Sequence, residues 1–172
     1  MRIAASCVIG ICFLGVVQVT KAAQAPECDL PQKLQSQITT EYPGRKIVTL
    51  SDLDPDDRGF FQKDHANSCP GLVKVDFYGD GRLTLALVLI SKQNSELVLA
   101  RQMGETWRTK VLGTGGPSVP VVWSLPPGEY KDVDGTKKIL ATRPVIVFFE
   151  YEAWGILYAW TGKGVSKIWI GD

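Results

Sequence analysis

The run Leu83 to Ile90 (LTLALVLI) constrains the fold more than any other part of the chain. Its two alternating faces are both apolar, the pattern of a central strand covered on each side rather than of a sheet open to water. Around it lie shorter runs with two-residue alternation, at 72–77, 97–102, 107–112, 119–125, 144–151, 154–160 and 165–170, with Gly, Asp, Asn and Pro turns between them. That spacing predicts a meander of antiparallel strands. The segment from Pro117 to Pro127 carries four prolines and reads as an extended loop or an edge segment.

Helix signals precede this region. Asp29 can cap a helix whose third residue, Gln32, completes a capping-box pattern, with Leu30, Leu34 and Ile38 on one face and Pro43-Gly44 at the end. Residues 46–50 read as a short strand. Asp54-Pro55-Asp56-Asp57 then supplies a cap, a proline at the first helical position and acids in the first turn, which predicts a second helix to about His65 despite Gly59. The expected fold class is α+β: an antiparallel β-meander sheet with two short N-terminal helices and one disulfide.

The chain's start carries an export signal. Arg2 is followed by an apolar run over residues 3–19 and by Ala23-Gln24-Ala25, the order of a positive start, an apolar stretch and a small-residue cleavage site. Residues 1–25 are therefore expected to be a signal peptide and 26–172 a single domain, with periplasmic or secreted localisation. Pro26 would disfavour cutting after Ala25, and a cut after Ala22 competes. An uncleaved anchor is the alternative, although the run is short and rich in small residues for a span. Loss of Arg2 and Lys21 leaves 17 basic against 18 acidic residues, a formal charge of about −1. This balance argues against the broad basic face that phosphate binding or adhesion to anionic lipid requires, so neither nucleic acid nor membrane insertion after cleavage is expected. Of four cysteines, Cys28 and Cys69 lie outside the signal and are expected to pair, closing a loop worth about 4 kcal/mol in the chain-entropy picture.

The stretch Asp76-Phe77-Tyr78-Gly79-Asp80-Gly81-Arg82-Leu83-Thr84 is the most distinctive local motif. It resembles the DFNGDG-x-x-D hairpin of FG-GAP and VCBS repeats, in which oxygen atoms of the loop bind calcium. The resemblance implies a calcium site at Asp76, Asp80 and Thr84. Tyr78 replaces the usual Asn and Thr84 the closing Asp, and Arg82 adds a repelling charge. The same glycines equally serve as the turn of a metal-free hairpin, with no cofactor at all. The whole layout, from Cys69-Pro70-Gly71-Leu72 to Tyr158-Ala159-Trp160-Thr161-Gly162-Lys163-Gly164, also resembles small bacterial exported proteins, a likeness that implies export and fold rather than an activity.

Other residues have side chains that can carry chemistry. His65, the one histidine, has no neighbouring nucleophile motif and too few partners for zinc. Glu150 and Glu152 share a face at about 7 Å in a strand and could act as paired acids, or could be a solvated rim. Trp154, Tyr158 and Trp160 share a face that either binds a sugar or a protein or packs the core. No catalytic residue is assigned. The leading expectation is a non-enzymatic binding or adaptor module of the cell envelope, with a protein or envelope ligand. An inhibitor or immunity protein presenting residues 117–131 or 113–116 is the alternative, and a carboxylate hydrolase using Glu150 or Glu152 the third.

Overall fold

The computed structural model describes residues 28–66 and 68–171. The expected signal peptide and its cleavage positions lie outside the described residues. Helix α1 (Gln32–Glu41) buries Leu34 and Ile38 as the spacing predicts. It starts later than the capping-box reading of Asp29, with Pro31 at the N-cap and no side-chain cap. Leu30 precedes a proline, whose ring disfavours the helical region for that residue, so the first turn cannot include it. Strand β1 is only Lys46–Ile47. Beyond Val48 the chain turns into a short 3-10 segment (Leu50–Asp52), where the Thr49 N–H donates to the Asp52 carboxylate at 2.9 Å. Helix α2 (Pro55–His65) is capped as expected: the Asp54 carboxylate accepts from the N–H groups of Asp56 and Asp57 at 3.0 and 2.9 Å.

The strands that follow are β2 (Leu72–Val75), β3 (Thr84–Ile90), β4 (Ser95–Met103), β5 (Thr106–Gly115), β6 (Val121–Leu125), β7 (Gly128–Lys131), β8 (Lys138–Ala141), β9 (Val145–Glu150), β10 (Trp154–Trp160) and β11 (Val165–Gly171). The fold is α+β, every strand pair is antiparallel, and Cys28 is bonded to Cys69. The meander divides into two sheets and a separate hairpin. One sheet runs β3-β4-β5 with β1 and β2 both on the outer side of β3; the other runs β6-β9-β10-β11; β7 and β8 pair with each other. The β7–β8 hairpin was not foreseen, although Asp134-Gly135 is a turn signal and Gly135 has a positive φ of 67°.

The two sheets face each other. Ala86, Val88, Ile90, Leu97 and Leu99 of the first meet Ile146, Phe148, Ile156 and Tyr158 of the second in the central core, which Phe61 of α2 joins. On the outer face of the first sheet, Leu85, Leu87, Leu89 and Val98 pack under α1. On the outer face of the second, Val145, Val147, Leu157 and Ile168 pack under Tyr130 and Ile139 of the hairpin. All seven residues of β3 are buried, which accounts for the apolarity of both its faces. At roughly 1.5–3 kcal/mol for each fully buried large aliphatic side chain, this strand is a principal source of stability. Strands β5 and β11 end the two sheets; the edge of β11 is capped in part by the Val133 N–H, which donates to the Trp169 carbonyl at 2.9 Å, and Arg108, Lys110 and Lys167 stand exposed along the two edges.

The edge beside β3 is made in two pieces. The Val48 N–H donates to the Val88 carbonyl at 3.1 Å, and the Val88 N–H donates to the Gly71 carbonyl at 2.9 Å. Residues 49–70 are thus an excursion inserted into one edge strand, and the chain passes close to itself where it returns. A Cβ at Gly71 would stand 2.5 Å from the Val48 carbonyl oxygen and 2.6 Å from its nitrogen, with backbone on both sides that cannot give way. Gly71→Ala is therefore expected to destabilise the protein by about 2–3 kcal/mol through overpacking. Gly116→Ala, where the same atom meets nothing, should stay within about 1 kcal/mol of the parent in a urea titration.

Candidate functional site

Between β2 and β3, the Asp-Gly loop folds on itself. The Asp76 carboxylate accepts from the backbone N–H groups of Asp80 and Gly81 at 3.1 and 3.2 Å, and Gly79 and Gly81 take the positive φ values of 65° and 73° that this turn requires. Asp80 pairs with the Arg101 guanidinium, and with that of Arg82 at 3.6 Å. Arg101 holds the Asp80 carboxyl below its usual range. The same guanidinium lies 4.2 Å over the Tyr78 ring, which meets Trp160 edge-on at 5.0 Å. Thr84 is fully buried opposite Arg101, and its hydroxyl has no hydrogen-bond partner.

This donor set does not fit calcium. The carboxylates face N–H donors and a guanidinium rather than a common centre, and among the described residues no three His, Cys, Asp or Glu side chains converge as metal ligands. The guanidinium of Arg101 supplies the positive charge from within the chain.

The aromatic row is largely a wall of the core. Tyr158 is 2% exposed, and burial pushes its phenol pKa up, while its oxygen abuts Gly113. Trp154 meets Phe148 edge-on at 4.9 Å, and both Trp154 and Trp160 are partly buried against the core. Tyr158 thus contributes no surface to a binding face. The segments expected to project as loops are strands instead: residues 117–131 contain β6 and β7, and residues 113–115 belong to β5.

Glu150 accepts from the Ser118 hydroxyl at 2.6 Å, and Glu152 sits in the β9–β10 turn with a positive φ of 58°. Burial, followed by the charges of Asp54, Glu152 and Glu150, pushes the Asp57 carboxyl up. Burial, helped by Asp64 and Asp57, pushes the Tyr151 phenol up to about 12. These acids form a rim beside the Phe60–Tyr151 ring stack at 5.8 Å. None of them lines the seam cavity described next.

The seam is where the two sheets meet. The Val122 N–H donates to the Pro70 carbonyl at 2.8 Å, and beyond this bond no ladder joins β2 to β6. The strands part instead around a cavity of about 400 Å³, with Leu72, Val73 and Lys74 on one wall and Val122, Trp123 and Ser124 on the other. His65, Ser68 and Cys69 complete it. The His65 ring lies tilted between Phe61 at 4.8 Å and Trp123 at 4.7 Å, and burial lowers its pKa against the opposing charge of Asp64. His65 is therefore part of an aromatic cluster at the cavity, at the C-terminal end of α2. The sequence does not single Trp123 out from the other tryptophans as a site residue; its place on a proline-flanked edge segment is the available signal. No protein family, curated protein or solved structure matches the chain.

Two outcomes test the loop. Added calcium is expected to leave the melting temperature unchanged in the parent and in Asp80→Ala. Because the Asp80 pKa is depressed in the fold, the stability from its pairing is present above about pH 4 and lost as the pH falls through the folded value. Arg101→Gln should therefore be less stable at pH 7 and should lose less of its remaining stability between pH 4 and pH 2, followed by urea unfolding.

Proposed function

We propose that the chain is an exported, non-enzymatic binding module of the cell envelope whose ligand site is the seam cavity between β2 and β6. The observation that carries this reading is the cavity itself. Its volume falls within the roughly 300–1,000 Å³ of ligand sites, and Trp123, Leu72 and Val73 give it an apolar wall beside the polar groups of His65, Ser68, Ser124 and Lys74. Wide apolar contact with a few placed polar groups is the composition of a recognition site. The Cys28–Cys69 bond supports an oxidising compartment, since such bonds persist outside the cytoplasm. Among the described residues, no helix is long and apolar enough to cross a membrane.

A hydrolase would need its acids in a cleft where one could protonate a leaving group. Glu150 is engaged by Ser118 and shares an acidic rim with Glu152, away from the seam. The binding reading thus uses the cavity that is present. Filling the cavity tests it: Ser124→Arg should keep the parent's circular dichroism spectrum but lose the components that the immobilised parent domain retains from a fractionated envelope extract. Retention of the same components by both proteins would overturn the assignment of the seam.

A further inference from the structure

One face of α2 sets an exposed aromatic ring among carboxylates that nothing neutralises. Residues three and four apart in a helix are neighbours, so Asp57 and Asp64 stand one turn before and one turn after Phe60. Phe60 is 45% exposed, and its ring stacks on that of Tyr151 in the β9–β10 turn at 5.8 Å, with the planes 28° apart. Acids from both elements crowd this pair. After burial and the neighbouring Asp54, the charges of Glu152 and Glu150 act on the Asp57 carboxyl, and after burial those of Asp64 and Asp57 act on the Tyr151 hydroxyl. Among the described residues, none of these five carboxylates is in an ion pair. Arg58 of the same helix gives its guanidinium to the carbonyls of Leu50 and Leu53 at 2.8 and 2.9 Å instead.

The shape of the cluster selects the kind of cation. A metal ion needs several oxygens converging on one point, and among the described residues no three acidic side chains do so. A flat organic cation instead lies over a ring while carboxylates take its N–H groups. The chain builds that arrangement once for itself, where the Arg101 guanidinium lies 4.2 Å over the Tyr78 ring and pairs with Asp80. At Phe60 and Tyr151 the rings and the carboxylates stand together, and among the described residues no guanidinium lies over either ring. We infer that the Phe60–Tyr151 pair is a docking surface for a basic protein segment, with an arginine laid over the rings and its N–H groups directed to Asp57, Asp64 and Glu152. Charge complementarity carries the size of the partner: five carboxylates on two elements exceed what a single cation neutralises, whereas a segment with several positive side chains matches them. Arginine is favoured over lysine because its planar guanidinium both stacks and forks to carboxylates, while an ammonium is a strongly hydrated point charge. This surface is additional to the seam, whose cavity none of these residues lines.

An NMR titration of the full domain with the pentapeptide Gly-Arg-Gly-Arg-Gly, blocked at both ends, is expected to shift the ring resonances of Phe60 and Tyr151 saturably. The peptide with lysine in place of arginine, equal in charge, should bind more weakly. Phe60→Ala, which removes an exposed ring, should weaken the arginine peptide about threefold, the size of an exposed cation–π contact. Asp64→Asn combined with Glu152→Gln should flatten the salt dependence between about 0.01 and about 0.1 M, where the screening length falls from roughly 30 to roughly 10 Å. Unmoved rings, equal affinity for the lysine peptide, parent-like affinity in Phe60→Ala, or an unchanged salt dependence in the double variant would overturn the inference. Ser124→Arg, which fills the seam, should leave the ring shifts in place; their loss in that variant would move the peptide to the seam and overturn the assignment equally.

Discussion

Val88 holds the two halves of a divided edge strand. Its carbonyl takes the N–H of Val48 and its N–H reaches the carbonyl of Gly71, so a residue in the middle of the most buried strand fixes both ends of the excursion that contains α2. The Cys28–Cys69 bond lies at the same crossing, and the Cys69 sulfur is 3.7 Å from the Val48 carbonyl oxygen. From this point the chain has little freedom. Gly71 is required by the close approach, Pro70 presents its carbonyl to β6, and Phe61 of the excursion enters the core between the sheets. The seam cavity is a by-product of that crossing: β2 leaves it paired with β3, β6 leaves it paired with β9, and the two part.

The elements that were legible in the sequence are those whose signals are local. The apolar faces of β3 reflect α1 on one side and the second sheet on the other, and Asp54-Pro55 marks the start of α2 by chemistry that acts within one turn. The failures have physical causes as well. Asp29 and Gln32 have the spacing of a capping box, but Pro31 between them delays the helix. The β7–β8 hairpin buries only one side of short strands, leaving Leu140 75% exposed, so its apolar periodicity is faint. The division of the meander into two facing sheets, and hence the seam, depends on a crossing between residues 48 and 71 that no local pattern records.

The candidate site was legible in its parts and not in its arrangement. Asp76 and Asp80 were visible as carboxylates in a glycine-rich turn, but the guanidinium that engages Asp80 comes from β4, brought opposite Thr84 by strand register. Cys69 was identified for its disulfide, and it also lines the cavity. Glu150 and Glu152 keep company with Asp57 because α2 packs beside the β9–β10 turn, and burial, followed by the charges of Asp54, Glu152 and Glu150, raises the Asp57 carboxyl.

The outer edge of β5, and that of β11 outside its single bond from Val133, have a consequence for a domain that is crowded among its own copies. Each has no strand partner on its outer side, the geometry from which edge-to-edge aggregates grow. Arg108 and Lys110 stand along one edge and Lys167 along the other, so joining β5 of one molecule to β11 of the next would bring like charges together and strip water from them. The cationic fringe makes polymerisation through these edges unfavourable, so the same lysines and arginine that lie outside every core cluster keep the domain apart from its copies.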